Sequence, residues 1–140
     1  MSRKRIRENL ELLKAAGYSG RAIELYGNKV NVGLIENPDV ALAYTGPCGD
    51  TITLYLKINK DKVIEDAKFQ YLGCPASAAC GSILTQIIKR KRLQEAKEIT
   101  EDDVLKELDG LPDNECHCAE LAVTTLYKTL SKYEEKEKKY

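Results

Sequence analysis

The clearest pattern along the chain is the alternation over Thr51 to Ile58, where Ile52, Leu54, Leu56 and Ile58 interleave with Thr51, Thr53, Tyr55 and Lys57. A period of two places the aliphatic set on one face of a strand and the polar set on the other. Asn59-Lys60-Asp61-Lys62 is a turn, and Val63 to Leu72 reads as a second strand with Ala67, Phe69 and Tyr71 sharing a face. So short a link predicts antiparallel pairing. Upstream, Val40 to Thr45 reads as a further strand ended by Gly46-Pro47.

Helical spacing governs the rest. Ile6, Leu10, Leu13 and Ala16 fall on one helical face with Gly17 as the stop, so residues 1–18 read as an N-terminal helix. Ser19 can cap a short helix from Arg21 to Tyr26 that buries Ile23 and Tyr26, followed by an irregular run from Gly27 to Asp39. Gly73-Cys74-Pro75 opens the next helix, because proline at the first helical position lacks only an N–H that would be unpaired there. Its stripe is Ala76, Ala79, Cys80, Ile83, Leu84, Ile87 and Ile88, and it finishes in Lys89-Arg90-Lys91-Arg92, cations suited to the negative end of a helix dipole. Leu93 to Lys97 adds a turn or two. Thr100 to Asp103 forms a capping box for a helix with Val104, Leu105 and Leu108 inward and Gly110 at its end. The last helix runs from about Cys118 to Tyr133, burying Cys118, Leu121, Ala122, Thr125, Leu126, Leu130 and Tyr133, and residues 134–140 are a tail that frays. The class is α+β: a small antiparallel sheet of about three strands packed against helices, in one domain over residues 1–140.

Composition narrows the function. Lys+Arg and Asp+Glu both number 22, a balance that points to neither nucleic acid nor an anionic membrane. The basic run at Lys89 to Arg92 has no interleaved aromatics and is accounted for by the helix end. No apolar run reaches membrane-spanning length, and Met1-Ser2-Arg3-Lys4-Arg5 is not followed by the apolar stretch of a signal peptide, so a cytoplasmic protein is expected. Five cysteines is an odd count, scattered, and favours reduced, functional thiols over a disulfide framework.

Four of those cysteines stand at the ends of elements. Cys48 lies in the turn before the first hairpin strand, Cys74 in the strand-to-helix turn, and Cys116 and Cys118 flank His117, the only histidine, at the start of the final helix. Soft ligands at a helix start suggest metal or sulfur chemistry, and the positive end of the dipole is expected to ease thiol ionisation there. A hairpin in simple register brings Cys48 and Cys74 out at the same end of the sheet. The final helix has only to begin at that end for Cys48, Asp50, Cys74, His117 and Cys118 to converge. Cys80, mid-stripe, reads as a small hydrophobe. Asp50 also suits a local turn, and His117 a helix cap. The spacing is not that of a common zinc module, whose ligands come as close pairs. Thiolates assembled by the fold suit zinc, copper(I) or an iron–sulfur cluster, and Asp50 among them is a harder, weaker partner that makes a cluster easier to lose.

Taken together, Asn31-Val32-Gly33, Pro47-Cys48-Gly49-Asp50, Ile64 to Phe69, Gly73-Cys74 before a small-residue helix, and His117-Cys118 before Leu121-Ala122 resemble the IscU/NifU-type iron–sulfur cluster assembly scaffolds. The resemblance runs from about Ile23 to Leu130, leaving 1–18 as an added N-terminal helix and 19–133 as the scaffold domain. It implies that Cys48, Cys74 and Cys118 are cluster thiolates, Asp50 the carboxylate that ligates or helps release the cluster, and His117 an assisting ligand. It further implies that sulfur arrives as a persulfide from a cysteine desulfurase, with Cys118 as the acceptor. A labile [2Fe–2S] cluster is then built and passed to recipient apo-proteins without turnover, zinc can occupy the same site, and a homodimer is compatible with such a role. Where many relatives carry Leu-Pro-Pro-Val-Lys for a dedicated chaperone, this chain has Leu111-Pro112-Asp113-Asn114-Glu115. Cys116 adds a thiol suited to a spare ligand, a sulfur relay or packing. Two other readings compete: a zinc enzyme with Asp50 as general base, and a cluster-free persulfide carrier relying on Cys118 alone.

Overall fold

A computed structural model describes residues 10–138. The described part of α1 covers residues 10–15, and Ile6 of the expected N-terminal helix lies outside it. Then follow α2 (Gly20–Gly27), β1 (Val40–Thr45), β2 (Thr51–Ile58), β3 (Ile64–Leu72), α3 (Pro75–Ile88), α4 (Leu93–Ala96), α5 (Glu101–Glu107), a 3-10 turn (Asp113–Glu115) and α6 (His117–Lys138). The sheet order is β1-β2-β3, antiparallel throughout, which gives the α+β class read from the sequence. Among the described residues no helix is long and apolar enough to cross a membrane.

Strand β2 behaves as its alternation requires, with Ile52, Leu54, Leu56 and Ile58 buried and the residues between them half-exposed. Its pairing places Thr51 opposite both Thr45 and Leu72, so the loops carrying Cys48 and Cys74 leave the same end of the sheet. The segment expected to be irregular pairs locally with β3: Phe69 N–H donates to Asn31 O at 3.0 Å and Gly33 N–H to Phe69 O at 2.8 Å.

Helix α3 departs from the expected single stripe. Every residue from Ala76 to Thr85 is buried, because β3, α2, α5 and α6 all pack against it. Small residues permit this: Ala76, Ser77, Ala78, Ala79, Gly81 and Ser82 let neighbours approach the helix from all sides. Gly81 is the closest approach, since a Cβ there would stand 2.4 Å from the ring of Phe69, itself fully buried. The buried hydroxyls stay bonded, Ser82 Oγ donating to Val30 O at 2.8 Å and Thr85 Oγ1 to Gly81 O at 2.9 Å.

Three further expectations change. In α2 the buried residues are Ala22 and Leu25, while Ile23 and Tyr26 are half-buried. Both pairs share helical spacing, and packing on α3 selects between them. Helix α3 stops at Ile88 with no cation in its last turn, because Lys89 turns out at ψ 132° and Arg90 adopts φ 71°. The basic run instead returns along β3, where Arg90 N–H donates to Ile64 O at 2.7 Å and Ile64 N–H to Lys91 O at 2.9 Å. Finally, residues 134–138 of the expected frayed tail belong to α6. Glu134 pairs there with Lys97, and Glu137 with Lys62 at 2.7 Å.

The face of α6 expected to be buried is buried: Cys118, Leu121, Ala122, Thr125, Leu126, Leu130 and Tyr133. It crosses β1 and β2 and lies beside α3, bringing its first turn to the loop end of the sheet.

Candidate metal centre

Three elements deliver side chains to one point. Asp50 comes from the loop before β2, Cys74 is the N-cap residue of α3, and Cys118 sits in the first turn of α6. Their donor atoms all lie within 4.8 Å of one another. The two sulfurs are 3.7 Å apart, and Cys74 Sγ is 3.2 Å from Asp50 Oδ2. Gly73 makes this fit possible. It adopts φ +153°, and a Cβ there would fall 2.4 Å from the Asp50 carboxylate carbon.

Ser77, one turn into α3, completes the arrangement. Its hydroxyl donates to Asp50 Oδ2 at 2.6 Å and lies 3.5 Å from Cys118 Sγ. That bond comes first among the causes that hold the Asp50 carboxyl below the usual range, ahead of the bonds from Cys74. Sequence reading passed over Ser77, although a hydroxyl three residues beyond a helix-capping cysteine faces the same way. Tyr18 was also missed. Its hydroxyl is pushed up to about 12, first by burial and then by the charges of Glu115, Cys74 and Cys118.

The thiols divide one proton unequally. Cys74 is lowered, chiefly by the hydrogen bond from Cys118, whereas Cys118 is raised by that same bond and by its own burial. The expectation that the start of the final helix eases thiol ionisation does not hold for Cys118, and the thiolate is favoured on Cys74, at the N-terminus of α3. Cys118 is fully buried, and the dipole of α6 does not offset that desolvation. Burial raises the Cys80 thiol and disfavours its thiolate.

The remaining candidates do not belong to this group of three. Cys48 is exposed and shares a cavity of about 190 Å³ with His117, Tyr44, Gly46 and Leu121. His117 and Glu115 form a second group with Cys118, again with donor atoms within 4.8 Å. Glu115 Oε2 is 3.4 Å from Cys74 Sγ and 3.9 Å from Cys118 Sγ. Cys116 turns away, its sulfur 3.6 Å from Pro112 O and 3.9 Å from Leu111 O. A larger cavity, about 520 Å³, lies by the β2–β3 turn among Lys62, Arg92, Lys97 and Tyr133 and carries no thiol.

A tetrahedral ion bound at about 2.3 Å to sulfur and about 2.1 Å to oxygen needs edges of about 3.8 Å between sulfurs and about 3.6 Å between sulfur and oxygen. The Cys74–Cys118 and Cys74–Asp50 separations come close to both. The donor set therefore fits a thiophilic metal.

An α+β domain with a thiol–carboxylate cluster at the end of its sheet, assembled from two loops and a helix start, defines the class of molecule. Residues 17–140 match the family described as NifU-like N terminal domain, and the chain belongs to that family. It is 41% identical over 117 residues to "Iron-sulfur cluster assembly scaffold protein IscU 1" of Archaeoglobus fulgidus, covering 83% of this chain and 76% of that one. It is 37% identical over 123 residues to the IscU scaffold protein of Escherichia coli, covering 85% and 95%. Among solved structures it resembles the N-terminal part of a NifU-like protein from Brucella abortus, with TM-score 0.71 at 20% identity over 89% of this chain and 99% of that one. A SufU scaffold protein of Fervidobacterium islandicum aligns with TM-score 0.68 at 26% identity, covering 81% and 96%.

Proposed function

We propose that this protein is an iron–sulfur cluster assembly scaffold, a binding and transfer protein without turnover of its own. Cys48, Cys74 and Cys118 supply the cluster thiolates, Asp50 the exchangeable carboxylate, and His117 an assisting donor. The reading is carried by the meeting of Asp50, Cys74 and Cys118 around one point and supported by the printed names of the relatives. An odd, scattered set of cysteines read as functional thiols supports a reducing compartment, the cytoplasm, as the place of action.

Sulfur delivery to Cys118 runs against the resting proton arrangement, because Cys118 must first give up the proton it holds. Cys118 passes its proton to the Cys74 thiolate, 3.7 Å away, and attacks the outer sulfur of a cysteine desulfurase persulfide. The donor S–S bond breaks, the desulfurase cysteine leaves as thiolate, and Cys118 carries the sulfane sulfur. Reduction to sulfide draws electrons from ferrous iron and from an added reductant, and the [2Fe–2S] product is cargo for apo-proteins. The same donors accept zinc in place of iron.

The test is anaerobic incubation with ferrous iron, thiol and either sulfide or a desulfurase with cysteine. A visible-absorbing species with acid-labile sulfide in proportion to iron is expected; protein that stays colourless defeats the reading. Under the same conditions Asp50→Ala is expected to lose its cluster several-fold more slowly than wild type on adding a chelator, because the most exchangeable ligand is gone. Faster decay of its visible absorbance would contradict that role.

A further inference from the structure

Resting on the reading above, we propose that Glu115 is itself a ligand of the divalent iron that enters this site, so that the first ion is held by Cys74, Cys118, Asp50 and Glu115. Three observations point to it.

The first is geometric. Glu115 Oε2 stands 3.4 Å from Cys74 Sγ and 3.9 Å from Cys118 Sγ, on either side of the roughly 3.6 Å sulfur–oxygen edge of a tetrahedral site. With the 3.7 Å sulfur pair, these make one triangular face of such a site. The second is charge. Asp50 and Glu115 both face the thiols, yet the ion pairs among the described residues engage neither carboxylate. Each carboxylate adds negative charge beside the thiol pair, and a divalent cation bound there offsets it. The third is placement. Glu115 ends the 3-10 turn, where its N–H donates to Pro112 O at 2.8 Å, and the chain runs on into α6. Its backbone is therefore fixed relative to Cys118.

A second oxygen donor makes the site harder than a thiolate cage, favouring ferrous iron, cobalt(II) or zinc over copper(I). Cys48 and His117, across their own cavity, stay free for the second iron. A plainer role competes: Glu115 precedes α6 by two residues, so its charge also favours the helix dipole. That role affects stability and leaves metal affinity alone.

The experiment is anaerobic titration with cobalt(II), read by its thiolate charge-transfer and ligand-field bands, on wild type, Glu115→Gln, Glu115→Lys and Asp113→Asn. Asp113 is an exposed carboxylate of the same 3-10 turn and serves as the control. Glu115→Gln is expected to weaken cobalt binding about 10–100-fold and shift the ligand-field bands while keeping the thiolate band per bound cobalt, and Asp113→Asn to stay within about twofold of wild type. Glu115→Lys, which brings a cation against the ion, weakens it further. Glu115→Gln with wild-type affinity and spectrum, whatever its melting temperature, overturns the assignment of Glu115 alone. Wild type that takes up no cobalt overturns that assignment and the scaffold reading together.

Discussion

Cys118→Ser protein is expected to emerge colourless from anaerobic reconstitution, with divalent-metal affinity reduced at least about 100-fold. Cys118 is the one residue common to both donor groups, so no arrangement of the others replaces it. Serine nearly matches it in volume, and its hydroxyl can bond to Ser77 and Glu115, so the melting temperature should move little. What is lost is the soft anion: a serine hydroxyl stays protonated at neutral pH and is a poor ligand for iron in a thiolate set. The same variant should fail to accept a persulfide, measured by mass after incubation with a desulfurase. Cys80→Ser is the comparison, a buried thiol packed in the core and expected to keep its cluster. A Cys118→Ser protein holding wild-type iron and sulfide would move the site elsewhere.

Gly81→Ala is expected to destabilise the fold by about 2 kcal/mol, against a gain of about 1 kcal/mol from replacing glycine within a helix. The overpacking side wins because the new Cβ would meet Phe69 ring atoms at 2.4, 2.5 and 2.8 Å, and that ring has no exposed surface into which to move. Thermal unfolding should fall by roughly 6–10 °C, and Gly81→Val should fall further. Pairing Gly81→Ala with Phe69→Leu should restore part of the loss, since the two changes share one contact. A Gly81→Ala protein that melts above wild type would show that helix propensity outweighs the clash. The same contact bears on function, because it seats α3 on β3 and thereby fixes where Cys74 and Ser77 stand.

Much of the molecule could be read from periodicity. The alternation of β2 fixes its faces whatever surrounds it, and the short Asn59 to Lys62 turn leaves β3 little choice but to pair antiparallel, which carries Cys48 and Cys74 to one end. The capping box at Thr100 and Asp103 and the buried face of α6 were equally plain, because both are local. Where two local answers were equally good, the sequence could not choose. Ala22 and Leu25 are no more helical than Ile23 and Tyr26, and only the surface of α3 selects between them.

The site divides along the same line. Its residue types, and the end of the sheet where they gather, follow from strand register and helix starts, which are short-range geometry. Which thiol keeps the proton, that Ser77 ties Asp50 to the pair, that Cys48 stands outside both donor groups, and that Glu115 turns inward while Cys116 turns away were decided only when three distant segments packed together. Desolvation and hydrogen bonding act over a few ångströms in space, and positions 50, 74 and 118 have no nearness along the chain from which those effects could be foreseen.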